Sequence, residues 1–339
     1  MKQKVALVTG GAGFIGSHLV DELLAQNFKV VCLDKLTYAG SLDNIEGHLK
    51  NENFVFVKGC ILDEALVSGL LNMHDVDAVF HLAAESHVDN SISGPKVFYE
   101  TNVTGTFNMS WQSYLYAKNN DKLDTFRFMH ISTDEVYGEL EMNDVNRFSE
   151  KTPYAPNSPY SASKAGSDFV IRAMVETYKF PCIITNCSNN YGTRQNCEKL
   201  IPKVIRSCFT GQPIPIYGTG ENIRDWLYVK DHAKAIMLAY HKGKVGETYC
   251  IGGNNEKSNI SLVKFICDIM DKIHPSKDLE SYRSLISFVS DRKGHDMRYA
   301  IDPKKAEIEL GFEPTQHFEE MLTKTIEAEL VSIAERKRV

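Results

Sequence analysis

Short apolar runs and amphipathic stretches alternate through the first half of the chain. Residues 5–8, 30–33, 54–57, 78–82 and 126–131 are mostly apolar and of strand length, and 182–185 is a further such run. Between them, 17–24, 64–71 and 97–116 carry apolar residues at helical spacing. Runs of this kind read as strands buried on both faces. Their alternation with helices predicts right-handed crossovers, hence an α/β fold with a Rossmann-type doubly wound parallel sheet.

The second half is less regular and richer in turns, with Gly211-Gln212-Pro213, Gly218-Thr219-Gly220 and Gly252-Gly253-Asn254-Asn255. The last regular strand of the sheet is expected at 182–185. Residues 1–187 therefore form the expected dinucleotide-binding domain, with 218–245 folding back onto it. A smaller C-terminal α/β substrate domain is expected from 188–339. The basic tail Glu335-Arg336-Lys337-Arg338 reads as a solvated helix end.

Composition narrows the function classes. In 339 residues, 38 Lys and Arg stand against 44 Asp and Glu, a net charge of −6. Hydrophobic residues at 43% and charged residues at 24% exclude a disordered chain. Mild acidity argues against a nucleic-acid partner, although a few placed cations can still hold a small anionic ligand. Eight dilute cysteines without a Cys-x-x-Cys pair read as free thiols in a reducing compartment. No apolar run approaches the roughly eighteen residues of a membrane span, and the chain runs straight into a strand with no signal peptide before it. A cytoplasmic protein is expected.

The run 5–8 leads into Thr9-Gly10-Gly11-Ala12-Gly13-Phe14-Ile15-Gly16 and then an amphipathic helix. Glycines Gly10, Gly13 and Gly16 permit a tight turn, close approach of backbone to a pyrophosphate, and helix–sheet contact. The helix N-terminus offers its unpaired N–H groups to negative charge. Asp34 ends the next strand eighteen residues after Gly16, where a ribose-binding carboxylate belongs. A carboxylate there repels a 2′-phosphate, so NAD is the expected cofactor.

Tyr160-Ser161-Ala162-Ser163-Lys164 places a tyrosine and a lysine on one helical face. An ammonium nearby, helped by a positive nicotinamide, is expected to lower the phenol's pKa until it can take a proton from an alcohol. Thr133, ending the 126–131 run with Ser132, would hold the same oxygen. At this point the chain resembles the extended short-chain dehydrogenase/reductase superfamily, through the glycine spacing, His81-Leu82-Ala83-Ala84, Tyr160 with Lys164, and Asn189-Asn190-Tyr191-Gly192.

Asp134 and Glu135 follow Thr133 directly. Hydride transfer alone has no use for two carboxyl groups beside the reacting hydroxyl. Oxidation at a sugar's C4 acidifies the C5 proton. One carboxylate can then remove that proton while the other, protonated, assists loss of the C6 hydroxyl. Thr133-Asp134-Glu135-Val136-Tyr137-Gly138 resembles the signature of the nucleoside-diphosphate-glucose 4,6-dehydratases. So do Asp34–Gly40, Ala84–Asp89, Glu198–Pro202, Ile223–Trp226 and Gly294-His295-Asp296.

That resemblance implies specific roles. Asp134 is the acid at C6, Glu135 the base at C5, and Thr133, Tyr160 and Lys164 serve oxidation at C4. It implies NAD contacts from the glycine turn with Phe14 and Ile15, and from Asp34, Lys35, Leu36, Thr37, Cys60, Ile61, Leu82, Ala83, Ala84, Thr101, Tyr160, Lys164 and Asn190. It implies substrate contacts from Ser86, Thr133, Asn189, Lys199, Leu200, Pro215, Tyr217, Arg224, Asn259, Arg292 and His295, with Arg224 as the best diphosphate fork. The expected substrate is dTDP-glucose, which loses water to give the 4-keto-6-deoxy sugar. UDP-glucose or another nucleotide sugar is the alternative, and a 4-epimerase the more distant one, since epimerases usually carry small or apolar residues at the Asp134-Glu135 positions. A homodimer through 97–116 and 159–178 is implied, and no metal is needed.

Three positions depart from the family pattern. Cys60 stands where an aspartate touching adenine is usual, Thr193 where a proline commonly follows Asn-Asn-Tyr-Gly, and Lys293 where a proline often precedes Gly-His-Asp. Thr193 is expected to loosen the active-site loop, and Lys293 to add charge near the diphosphate.

Overall fold

The computed structural model describes residues 2–336. Six strands follow one another as expected: β1 (Val5–Thr9), β2 (Lys29–Asp34), β3 (Phe54–Lys58), β4 (Ala78–His81), β5 (Arg127–Thr133) and β6 (Cys182–Cys187). The second half adds β7 (Asn189–Tyr191), β8 (Ile214–Tyr217), β9 (Ile223–Tyr228), β10 (Thr248–Ile251), β11 (Glu256–Ser258) and β12 (Ile286–Val289). The main sheet has seven parallel strands in the order β3-β2-β1-β4-β5-β6-β10. The order reverses between β1 and β4, so a crevice opens beyond their carboxyl ends.

Two apolar layers sandwich this sheet. On one face α1 (Phe14–Ala25) packs on the sheet. On the other lie α2 (Glu64–Met73) and a long helical stretch. That stretch begins with short α3 (Val88–Ser93) and α4 (Lys96–Phe98). It passes through a π-helical turn at Tyr99–Thr104 and continues as α5 (Gly105–Asn119). Helix α6 (Pro159–Tyr178) starts at a capping box in which Ser158 and Ser161 bond reciprocally, with proline at its first position. Both devices fix the helix start one residue before Tyr160.

The sheet does not end at 182–185 as expected. After β9, α8 (Val229–Lys242) returns to cover α1 and β10 pairs with β6, joined by α10 (Lys304–Leu310). The returning piece therefore begins later than 218 and runs past 245. The cause is visible in the pattern: Tyr249, Cys250 and Ile251 are fully buried, but four residues bounded by glycines are too short a run to stand out. The smaller part is built from α7 (Leu200–Thr210), α9 (Asn259–Ile273), α11 (Phe318–Arg336), the β11-β9-β7 sheet and the β12-β8 pair around their own apolar cluster. Residues 337–338 of the basic tail lie outside the described residues.

All eight cysteines are free; six are buried, Cys60 is half-buried and Cys197 exposed. Among the described residues no helix is long and apolar enough to cross a membrane, and no group of His, Cys, Asp and Glu could hold a metal ion.

Candidate active site

The turn after β1 is shaped by backbone crowding. Gly10 has φ +71°, and a Cβ there would lie 2.8 Å from the Ala83 nitrogen, so the exits of β1 and β4 touch. A Cβ on Gly16 would lie 2.1 Å from the Gly10 carbonyl oxygen. Gly13 caps α1 in an extended conformation with no side-chain bond to the first turn. The first N–H groups of α1 are thus open to a ligand. Asp34, at the end of β2, accepts from the Ala12 nitrogen at 3.0 Å and the Leu36 nitrogen at 2.8 Å. Burial raises its pKa while these two bonds pull it back. A glycine cradle that any Cβ would fill, beside an anchored carboxylate, fits a dinucleotide such as NAD.

One long cleft runs from this turn to the end of β5. The glycine turn, Asp34, Lys35, Thr37, Cys60, Ile61, Leu82, Ala83, Ala84 and Thr101 line its cofactor end. Thr133, Asp134, Glu135, Tyr160, Lys164, Asn189 and Asn190 line its far end with Ser86 and Lys199. Leu36 stands outside this lining; its φ of +55° turns the chain so that its nitrogen reaches Asp34 and its side chain packs on the core. Leu200, Pro215, Tyr217, Arg224, Asn259, Arg292 and His295 also stand outside it.

Strand β5 delivers the reactive cluster. Thr133 is its last residue and accepts from the Glu135 nitrogen, starting a single 3-10 turn that carries Asp134 and Glu135. The Thr133 hydroxyl donates to Asp134 Oδ1 at 3.3 Å, and Asp134 Oδ2 is buried without a partner. Burial, then the Glu135 charge, then Asp225 push Asp134 well above the ordinary carboxylate range. Glu135 is also raised by burial, but Arg292, Arg224 and Lys199 oppose that shift. The adjacent carboxyls therefore differ: one favours its proton, and the other sits among cations.

Lys164 is buried and donates to the Ile131 carbonyl at 2.8 Å. Burial lowers its pKa, and Asp168 chiefly opposes this. Within the chain Tyr160 does not move down as expected. Burial and then Glu135 push the phenol well above its ordinary value, while a bond with Thr133 pulls the other way. The ammonium serves the backbone of β5, and the phenol has Thr133, Glu135 and Cys187 among its neighbours.

The second-half cations are already engaged. Arg224 donates to the carbonyls of Ile223 at 2.7 Å and Asp296 at 2.9 Å, and lies 4.1 Å from the centre of the Tyr299 ring. His295 Nδ1 is 2.6 Å from Asp291, and the Tyr217 hydroxyl donates to Asp89 at 3.1 Å. Arg292 is looser, 3.8 Å from Asp89 with its Nε unpaired. Thr193, expected to loosen its loop, is instead anchored: its carbonyl lies 3.0 Å from His18 Nε2, and Arg194 donates to Asp21.

Several polar residues of this region escaped the sequence reading. Glu85, Gln195, Asn196 and Glu198 line the cleft. Asn102, in the π-helical turn, accepts from the Glu85 nitrogen and donates to the Glu85 carbonyl and the Ser163 hydroxyl. Nothing in its spacing announces this. Asp168 was findable, because 160, 164 and 168 share one helical face.

The GDP-mannose 4,6 dehydratase family matches residues 7–325. A dTDP-glucose 4,6-dehydratase of Xanthomonas campestris is 51% identical over 323 residues, 95% of this chain and 92% of the relative. The structure of DesIV, the dTDP-glucose 4,6-dehydratase of Streptomyces venezuelae solved with NAD and TYD bound, superposes with a TM-score of 0.88 at 42% identity, covering 97% of this chain and 98% of that one. A UDP-glucose 4-epimerase of Thermotoga maritima also superposes, with a TM-score of 0.85 at 29% identity over 97% and 99% of the two chains.

Proposed function

Because the chain belongs to the GDP-mannose 4,6 dehydratase family, we propose that its cleft residues divide between them the dehydration of dTDP-glucose to dTDP-4-keto-6-deoxyglucose. This hydro-lyase activity is that of its relatives. When bound, NAD supplies the hydride acceptor for C4, the hydride returned to C6, and a positive ring beside the phenol.

The chain's own groups supply the rest. Tyr160 takes the proton of the C4 hydroxyl, and Thr133, bonded to it, holds the same oxygen. Lys164 keeps positive charge beneath the pair. Glu135, whose proton Arg292, Arg224 and Lys199 help to release against the rise caused by burial, removes the C5 proton. Asp134, held protonated by burial and by Glu135, donates to the departing C6 hydroxyl. Asp34 and the first turn of α1 hold the cofactor's ribose and pyrophosphate, and Arg224, Arg292 and His295 face the diphosphate of the sugar.

The observation that carries this reading is the carboxyl pair on the turn that follows Thr133, in the same wall as Tyr160 and Lys164. The test incubates purified protein with dTDP-glucose and, separately, UDP-glucose, and reads loss of water by mass spectrometry. Turnover is expected with the thymidine nucleotide. Asp134→Asn with Glu135→Gln keeps C4 oxidation and abolishes water loss; elimination at the parent rate would overturn the assignment. Tyr160→Phe with unchanged turnover would remove the phenol from the oxidation step.

The outer face of α5 and α6 supports a homodimer. Phe107, Phe169 and Tyr178 are exposed, and Phe107 stacks on Trp111. Exposed aromatic patches of this kind mark interaction surfaces. Phe107→Glu is expected to halve the mass seen by light scattering. Eight free thiols support a reducing, cytoplasmic setting.

A further inference from the structure

We propose that Asp168 is a positioning residue for the oxidation step: a buried anion that locks the end of β5 onto α6 and provides the counter-charge of Lys164. It rests on Tyr160 and Lys164 being the oxidising pair.

The geometry converges on one carboxylate. Asp168 is fully buried, one helical turn past Lys164. Its oxygens receive the Ser132 hydroxyl at 2.9 Å, the Tyr154 hydroxyl at 2.8 Å and the Asn186 amide at 3.3 Å, with His130 Nε2 at 3.0 Å. The Asn186 amide also donates to the Thr133 carbonyl at 3.0 Å. With Lys164 on the Ile131 carbonyl, four consecutive residues at the end of β5, His130 to Thr133, are tied to one face of α6, Thr133 through Asn186 of β6. The last of them is Thr133, whose hydroxyl shares the substrate oxygen with Tyr160. A slip between β5 and α6 would part these two hydroxyls.

The charge balance points the same way. A carboxylate receiving this many hydrogen bonds favours its ionised form, and His130 and Lys164 hold Asp168 below the usual carboxylate range despite burial. Lys164 is faced by Asp168 on its own helix, by His130 on β5, by His81 on β4 and by Cys187 on β6. Both histidines are depressed by burial and so stay neutral at working pH. Cys187, lifted to about 12, stays a thiol, as does Cys182, raised by burial beside Asp168. Among these groups Asp168 is the anion that chiefly opposes the loss of the buried ammonium's proton. Tyr154 extends the reach, because its ring packs against Tyr137, which closes the turn carrying Asp134 and Glu135.

Asp168→Asn keeps the shape and removes the charge. Loss of one charge-assisted hydrogen-bond centre is expected to lower kcat roughly tenfold or more, with the KM for dTDP-glucose unchanged. The alkaline limb of the kcat profile moves to lower pH, because Lys164 gives up its proton more easily without the anion. Ser132→Ala removes a neutral donor and leaves that limb in place. A folded Asp168→Asn protein with parent kcat and an unmoved alkaline limb overturns the proposal. If that variant does not fold, Tyr154→Phe decides: it lowers kcat at constant KM, and an unchanged kcat overturns the proposal. Lys164→Met separates the two readings, since parent turnover there sinks the oxidising pair itself, whereas its loss alongside a normal Asp168→Asn sinks only the role of Asp168.

Discussion

The two ends of the cleft are built from different materials. At the cofactor end the contacts come from main chain: glycines without room for a Cβ, helix N–H groups, and one carboxylate pinned by backbone nitrogens. Beyond the far end, the side chains expected to hold the sugar nucleotide, Tyr217, Arg224 and His295, stand outside the cleft lining and already bond to carboxylates or carbonyls. The first kind of site is stiff and tolerates no added atom. The second can be altered one side chain at a time, with the loss spread between binding and folding. The superposition on a UDP-glucose 4-epimerase at 29% identity shows how far one fold is kept while the sequence changes.

The contrast breaks most sharply at Gly16. Gly16→Ala forces a methyl to within 2.1 Å of backbone, so the strain is roughly 1–3 kcal/mol and the variant is expected to be purified without NAD, read by chromatography of the released nucleotide. Arg224→Met is next. It removes two hydrogen bonds to the Ile223 and Asp296 carbonyls, which keep the Tyr299 nitrogen and the Asn222 amide as donors, costing on the order of 1 kcal/mol in urea unfolding besides raising KM. Arg292→Met should raise KM alone. A smaller effect separates Asp134 from an ordinary carboxylate. Its folded pKa lies above its unfolded one, so the parent loses stability as pH rises from about 4 toward that raised value. Asp134→Asn escapes this loss, and its advantage should reach on the order of 1 kcal/mol between unfolding curves at pH 5 and pH 8. Least of all, Tyr217→Phe removes one exposed bond to Asp89; stability should stay within about 0.5 kcal/mol and KM rise about twofold.

Legibility followed the same division. The strands that open the chain, the glycine turn and Asp34 rest on local spacing, whereas the weight given to the Thr133 and Tyr160 clusters came from resemblance, and all of them line one cleft. The return of β10 to the sheet was hidden because a four-residue strand leaves little pattern. The engagement of Arg224 by the distant Asp296 carbonyl, the anchoring of Thr193 by His18 and the clasp of Asn102 on Glu85 are consequences of distant segments meeting. The neighbours that set the Tyr160 phenol within the chain were hidden for a related reason. A lysine one turn away in sequence spends its hydrogen bond on β5, and burial decides the rest.

The late arrival of β10 makes the molecule hard to divide. A fragment ending at 187 would keep every glycine of the cofactor turn, yet β6 would become a bare edge: the Ile184 nitrogen would lose the Glu247 carbonyl, and the apolar face of α1 would lose α8. Bare apolar edges recruit other chains. Such a half should precipitate rather than bind nucleotide, and any graft that exchanges the sugar-binding part must leave Val229–Lys242, Thr248–Ile251 and Lys304–Leu310 behind with the large sheet.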